Sequence, residues 1–391
     1  MNRKASSILY VNFSPYENTG NILDFLLERY ANVFLFSFNF HHLGKRQHGS
    51  YGKIFHNGKC IKDLRLLSIP VPTTLVFFLL PIRSISILIQ LLWHTWRLTK
   101  IYGQINTYFT VNAFTSWIGI IAKKLGLVNQ TIFWVWDYYP PIHPSKVVML
   151  MRWAYWQFDK IASHSDRVVF LNKRLEILRK KIGIIPKTNN FPIVSIGTNR
   201  LLETKEHQNT PYTLGFIGVL KKSQGLDLVF DCAKELKAQF PRIHLIIIGA
   251  GPDEFYYRKL AATSELPVSF HGLLSIRDPK NLNVLSQIDI GIALYVPDES
   301  NVSYYGDPSK IKDYLSLAIP IITTDVYEFA QKIKKNYAGI LIKHDSKIQL
   351  FDAIKQIKYN YNNFQKNALK LAKEYNYKQI YPMIFNDRPK K

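Results

Sequence analysis

The chain has 391 residues, enough for two domains of ordinary size, and its 47% apolar content excludes a disordered protein. A formal net charge of +23 at pH 7 implies an acidic partner and leaves three classes open: a phosphate-bearing substrate, an anionic membrane surface, or nucleic acid. Two cysteines, Cys60 and Cys232, sit in separate halves without a metal-ligand neighbour, which points to a reducing compartment.

The first seven residues lead into a short strand rather than an apolar leader, so no signal peptide is expected. Residues 7–13 read as that strand, 14–20 as its turn, the next stretch to Tyr30 as an amphipathic helix, and 32–38 as a second strand. Gly20 fits a turn glycine better than a ligand contact. Residues 41–63 are basic and rich in histidine (His41, His42, His48) without metal-site spacing, and read as a solvated or substrate-facing loop.

Residues 66–93 are strongly apolar, but Pro70, Pro72 and Pro81 interrupt them and Arg83 lies in the middle. That argues against a transmembrane helix and leaves either a buried helix or an interfacial segment that dips into lipid. A strand over 106–111, a helix over 113–125 and a strand over 131–136 follow, the last ending in Asp137. Asp137 is either a ligand-binding carboxylate or the cap of the following turn. The aromatic stripe Trp153, Tyr155, Trp156 and Phe158 has helical spacing and reads as core before it reads as a ligand surface. A last strand near 168–171 closes this half, and the polar run 199–210 reads as a hinge.

The second half alternates strands and helices. An apolar run ending on Gly218 leads through the basic turn Lys221, Lys222, Ser223, Gln224 and Gly225 into an amphipathic segment over 226–240. Residues 245–248 form the next strand, with Gly249 and Gly251 in its turn, and 268–270 a shorter one ending on His271 and Gly272. A fourth strand over 288–295 leads to Asp307 and Pro308, which pre-sets a helix carrying Ser309, Lys310 and Asp313 on its first turns. Residues 318–325 return the chain to the sheet, followed by a helix, a strand over 338–342 and two helices to about residue 374. This order means a parallel, doubly wound sheet whose ligands lie at the carboxyl ends of the strands. N–H donors, lysines and one carboxylate gathered there suit a nucleotide diphosphate.

Gly218 with Gln224-Gly225-Leu226-Asp227, Ile248 to Pro252, Phe270-His271-Gly272, and Pro308 to Tyr314 followed by Ile319-Pro320-Ile321-Ile322 resemble, in order and spacing, the donor-binding domain of glycosyltransferase family 4, of the group 1 type. The family usually places Arg after the first glycine and Lys before the second. Here those positions hold Val219 and Gln224, which moves the phosphate role to Lys221 or Lys222. The second Glu of the family's two-glutamate motif maps onto Asp313 and the first onto Tyr305, while Trp136 occupies the position of a donor-facing His.

The resemblance implies an α/β protein of the GT-B fold, two Rossmann-like doubly wound domains facing across a cleft. An acceptor-binding domain would cover 1–200, a linker 201–211 and a donor-binding domain 212–375, with 376–391 crossing back. It implies a retaining glycosyltransferase with no metal or other cofactor, using a UDP- or GDP-linked nucleotide sugar and a lipid-linked or saccharide acceptor. Such an enzyme would be cytoplasmic, peripheral at the inner face of the cell membrane. Lys221, Lys222 and Lys310 would then face the diphosphate, Gly218, Gly251 and Ser309 allow close backbone approach, Asp313 hold the ribose, His271 and Gly272 lie by the base, and Asp137 serve in catalysis. Two rivals remain: a nucleic-acid-binding protein, opposed by dispersed lysines and no recognised module, and a catalytically lapsed subunit that binds a partner enzyme.

Overall fold

The computed structural model describes residues 6–13, 18–38, 49–69, 71, 75–140, 142–186, 191–199, 213–274, 278–298 and 302–385. The turn at 14–17, the histidine-rich stretch 41–48, Pro70, Pro72, the linker 201–211 and the basic tail 388–391 lie outside them. The chain forms two compact units. The first is built on Met1–His42, Arg46–Ser195 and Tyr377–Lys391, and the second on Ile196–Asn376.

The first unit comprises β1 (Ser7–Asn12), α1 (Ile22–Arg29), β2 (Asn32–Ser37), β3 (Tyr51–His56), β4 (Lys59–Arg65), α2 (Val76–Tyr102), β5 (Ile105–Thr110), α3 (Ala113–Lys124), β6 (Val128–Val135), α4 (Lys146–Ala162), β7 (Arg167–Phe170) and α5 (Lys173–Lys181). Its sheet has the order β4-β3-β2-β1-β5-β6-β7, parallel except for the reversed β3, which pairs antiparallel with both β2 and β4. These two form a hairpin where the sequence reads as loop. Its turn is Asn57-Gly58, both at positive φ (51° and 80°), the backbone that matches the twist of a two-residue hairpin. The buried run Leu9, Val11, Phe34, Phe36 and Tyr108 meets Ile87, Leu91 and Leu98 of α2 and Phe114 and Ile118 of α3 in one core.

α2 corrects the reading of 66–93. It runs unbroken for 27 residues through Pro81, which sits in its second turn. The helix survives because Ile87, Leu91 and Leu98 anchor it to the sheet, which outweighs one missing hydrogen bond. Among the described residues, Phe78–Tyr102 is the one helix long and apolar enough to cross a membrane by length and composition.

The second unit comprises β8 (Thr213–Ile217), α6 (Asp227–Asp231), α7 (Ala233–Gln239), β9 (His244–Ile248), α8 (Glu254–Thr263), β10 (Val268–Phe270), α9 (Leu282–Leu285), β11 (Ile290–Ala293), α10 (Ser309–Ser316), β12 (Ile321–Thr323), α11 (Ala330–Lys335), β13 (Gly339–Leu341), α12 (Lys347–Tyr359) and α13 (Tyr361–Glu374). All six strands are parallel, in the order β10-β9-β8-β11-β12-β13. The segment 226–240 is two helices rather than one, because Cys232 leaves helical geometry between α6 and α7. After α13 the short α14 (Tyr377–Ile380) belongs to the first unit, where Tyr381 donates to the Gly20 carbonyl (2.6 Å). That bond gives Gly20 a structural role in its turn.

Candidate active site

In the second unit the chain reverses direction of sheet growth between β8 and β11, which are neighbours although three strands apart in chain order. A crevice opens at the carboxyl ends of strands at such a switch point, and ligands of doubly wound sheets bind there. The loops after β8, β9 and β10 interlock around it. Gly218 N–H donates to the Ile248 carbonyl (2.9 Å), Leu220 N–H to Ala250 (3.1 Å), and Gly249 N–H to Gly272 (2.7 Å). A Cβ at Gly249 would stand 1.8 Å from the Gly218 carbonyl oxygen, and one at Gly225 1.6 Å from that of Leu294, so only glycine permits this approach.

The same bonds change the picture drawn from the sequence. The N–H groups of Gly218, Leu220 and Lys222 already have protein acceptors, the last being Asp253 Oδ2 at 2.9 Å. They are therefore not open donors for a phosphate. Gly251 packs against the Leu220 backbone, and His271 is exposed with its N–H bonded to the Ile247 carbonyl. Lys221 and Lys222 are both exposed, and the Lys222 ammonium lies 4.4 Å from the centre of the Tyr256 ring of α8.

Lys310 is what the structure brings to the switch point. α10 begins after extended Pro308, and its first turn carries Ser309, half-buried, and Lys310, only 6% exposed. Lys310 Nζ lies 4.5 Å from the centre of the Phe216 ring on β8 and 4.4 Å from that of Tyr295 just beyond β11. Its methylenes approach Gly218, where an added Cβ would be 3.4 Å from Cδ. Its one hydrogen-bond partner among the described residues is Gln224 Oε1, at 2.8 Å. Burial pushes the Lys310 ammonium down to about 7.

Other side chains of α10 fix that position. The Tyr314 hydroxyl accepts from Ile217 N–H (2.8 Å) and faces the carbonyls of Gly215 (2.9 Å) and Ile292 (3.2 Å), bridging β8 and β11 where they part. Its ring fills the space a side chain at Gly291 would need. Lys312 is buried and donates to Asp307 Oδ1 (2.6 Å), with Nζ 3.2 Å from the centre of the Phe329 ring. Burial pulls Lys312 down to about 8 against the opposing pull of Asp307. Asp307 Oδ2 accepts from Ile196 N–H (3.0 Å), and Thr198 Oγ1 donates to the Lys312 carbonyl (3.1 Å), so the start of the unit is tied to α10. Asp313 is half-buried on the same helix, and Tyr305, at the place of the family's first Glu, is buried.

The sequence reading missed Gln224, Asp307 and Lys312 as parts of this arrangement. Lys310 and Lys312 are buried on different sides of one short helix, an unusual place for a residue almost never fully buried unpaired, and their spacing of two gives no single face from which that could be read.

In the first unit β6 ends at Val135 and Asp137 follows, half-buried. The Tyr139 hydroxyl donates to Asp137 Oδ2 (3.3 Å), and the Tyr139 ring meets Tyr155 of α4 edge-on at 5.0 Å. The Tyr155 hydroxyl in turn accepts from Ala113 N–H at the start of α3 (3.1 Å). Burial raises the Asp137 carboxyl above its ordinary value, partly offset by the Tyr139 bond. Trp136 packs edge-on against Trp134 (5.2 Å), and its buried Nε1 has no hydrogen-bond partner among the described residues. Among the described residues no group of three or more His, Cys, Asp or Glu is placed to hold a metal ion.

These two α/β units, the second wholly parallel with a switch-point site, define the GT-B class. Residues 199–375, which span the second unit, match the family described as glycosyl transferases group 1. No curated protein sequence matches the chain. Solved structures of similar fold include a sucrose-phosphate synthase from Thermosynechococcus elongatus, with TM-score 0.69, 15% identity and 97% of each chain covered. Anabaena HepE in complex with UDP-glucose gives a TM-score of 0.66 at 11% identity over 97% of this chain and 98% of that one. An S. aureus TarM mutant in complex with Fondaparinux, alpha-GlcNAc-glycerol and UDP gives 0.55 at 15% identity over 75% of this chain. The match covers 58% of the TarM chain, less than two thirds of its length.

Proposed function

We propose that the protein transfers a sugar from a nucleotide-diphosphate donor, bound at the β8/β11 switch point, to a lipid-linked or saccharide acceptor at the cytoplasmic membrane face. The observation that carries this reading is the environment of Lys310. A buried ammonium whose hydrogen-bond partner is a neutral amide is under-compensated, and an anion entering the crevice supplies the missing charge. Gln224 stands where relatives of the resembled family carry a lysine, and the Lys310 ammonium reaches the same place from α10. The charge lost at position 224 is restored from another element.

A diphosphate oxygen would replace Gln224 Oε1 as partner of Lys310, with the first N–H groups of α10 at Ser309 beside it. Positive charge preorganised there stabilises the departing diphosphate as its bond to the sugar lengthens, without a bound metal and with retention of configuration. Asp313 would accept from the ribose hydroxyls. The UDP named for HepE and TarM favours a uridine donor.

Thermal unfolding in the presence of UDP, GDP and ADP, followed by transfer from the matching nucleotide sugar, tests this. A ligand at about 100 times its dissociation constant adds about 2.7 kcal/mol to the folded state. The reading fails if none of the three raises the melting temperature. Stabilisation without transfer to any acceptor would favour a lapsed subunit, for which Trp136, Val219 and Tyr305 at the family's functional positions argue.

A further inference from the structure

We propose that the outer face of α2 is a docking surface for an anionic lipid bilayer. The helix has two faces. One, with Ile87, Leu91, Thr95 and Leu98, is buried against the sheet. The opposite one carries Phe78, Ile82, Ile85, Ile89, Trp93 and Trp96, all exposed, with Phe78 at 75%, Ile89 at 61% and Trp93 at 54%. Their spacings of three and four residues place them in a single stripe along the helix. Six large apolar side chains in one row differ from the scattered apolar residues of an ordinary surface and mark an interaction site.

Charge selects the occupant. Between Val76 and Tyr102 there is no Asp or Glu, while Arg83, Arg97 and Lys100 are present. The Lys100 ammonium lies 5.9 Å from the Trp96 ring centre, and the Trp93 and Trp96 rings lie 5.1 Å apart. A second copy packed stripe to stripe would set these cations against one another. An acidic bilayer meets them with opposite charge, and tryptophan beside lysine is the pairing that settles at a membrane–water interface. The edge strand β4 carries exposed Lys59, Lys62 and Arg65 against Asp63, and Leu67 beyond it is pinned to α2 by the Gln90 side chain (2.7 and 3.2 Å). With its inner face committed to the core, α2 lies flat on the bilayer rather than crossing it.

This inference deepens the membrane-face part of the reading above and rests on it, but its test needs neither donor nor acceptor. The full chain is floated with phosphatidylcholine vesicles, with or without about 30 mol% phosphatidylglycerol, at about 0.1 M and about 1 M salt. The protein is expected to float with the anionic vesicles at low salt and to lose most of that binding in pure phosphatidylcholine. The double variant Ile89→Glu/Trp93→Glu should bind at least about tenfold more weakly with an unchanged melting temperature, since both side chains are exposed. Arg97→Glu/Lys100→Glu should weaken binding and flatten its salt dependence. Absence of flotation by the unaltered chain, or equal flotation of the Ile89/Trp93 variant, overturns the proposal. So does a dimer that this variant converts to monomer without any vesicle binding, which would make the stripe a self-association surface. Stabilisation by a nucleotide diphosphate, measured on the same variants, reports on the donor site separately.

Discussion

Lys310 Nζ and Gln224 Oε1 lie 2.8 Å apart, joining the first turn of α10 to the loop after β8 across 86 positions of chain. Among the described residues this neutral amide is the hydrogen-bond partner of the buried cation, at the place where the donor reading needs an anion. Replacing Lys310 with Met keeps the volume and removes the charge. Nucleotide-diphosphate affinity should fall by about 10- to 150-fold, the worth of a charge-assisted hydrogen bond of about 1.5–3 kcal/mol. Stability should hold or rise, because an unpaired buried charge is a cost. Calorimetric titration and thermal unfolding read the two effects; unaltered affinity in a folded Lys310→Met protein removes Lys310 from the site.

The same lysine sets a pH dependence. Its ammonium titrates at about 7 in the fold against 10.5 for an ordinary lysine, so between those values the folded state holds fewer protons than the unfolded one. Stability from this group therefore rises with pH across that window, and its desolvation cost is complete below it. Binding runs the other way. An anion needs the charged form, so affinity for a nucleotide sugar, whose diphosphate does not titrate here, should weaken by up to about tenfold per unit above pH 7. Titrations near pH 8 in buffers of different ionisation enthalpy should show proton uptake of up to about one per site. Affinity independent of pH from about 6.5 to 9, with no uptake, would count against this account.

Lys312 sits two residues further on with a contrasting partner. It is paired with Asp307, and both are buried. Asp307→Asn strands the ammonium beside Phe329 and should destabilise the protein by about 3 kcal/mol, whereas the double variant with Lys312→Met should recover a large part of that loss. A double-mutant cycle from denaturant unfolding gives the coupling, expected to exceed about 1 kcal/mol. Strict additivity of the two substitutions would show that the pair is not an energetic unit.

The alternation of strand and helix from β8 to β13 was legible because these parallel strands are short apolar runs, the first three of them ending in glycine turns. The start of α10 was legible too, because Pro308 marks it. The β3/β4 hairpin was obscured by its basic composition, although Asn57-Gly58 carried the turn signal. Pro81 misled because local breaking power was weighed without the tertiary face formed by Ile87, Leu91 and Leu98. At the site, Lys222 and Lys310 looked alike in one dimension. What separates them is which rings they meet: Tyr256 draws one over an exposed face, while Phe216 and Tyr295 enclose the other at the switch point. Such partners come from distant strands, and local pattern does not encode them.

Asp137 supplies a test in the first unit that leaves the donor residues untouched. Its carboxyl is raised by burial and held by the Tyr139 hydroxyl, which itself packs on Tyr155. A carboxylate in such surroundings changes charge nearer to neutrality than an exposed one, and a reaction that needs it ionised loses rate as pH falls through that raised value. Asp137→Asn preserves shape and abolishes the titration. Transfer should drop by about 10²-fold or more, and the acidic limb of the pH–rate profile should vanish, while nucleotide-diphosphate affinity stays as it was. Tyr139→Phe removes the bond that favours the charged form and should move the acidic limb upward without abolishing activity. If Asp137→Asn retains full transfer with the same profile, the carboxylate only caps the turn after β6 and takes no part in transfer.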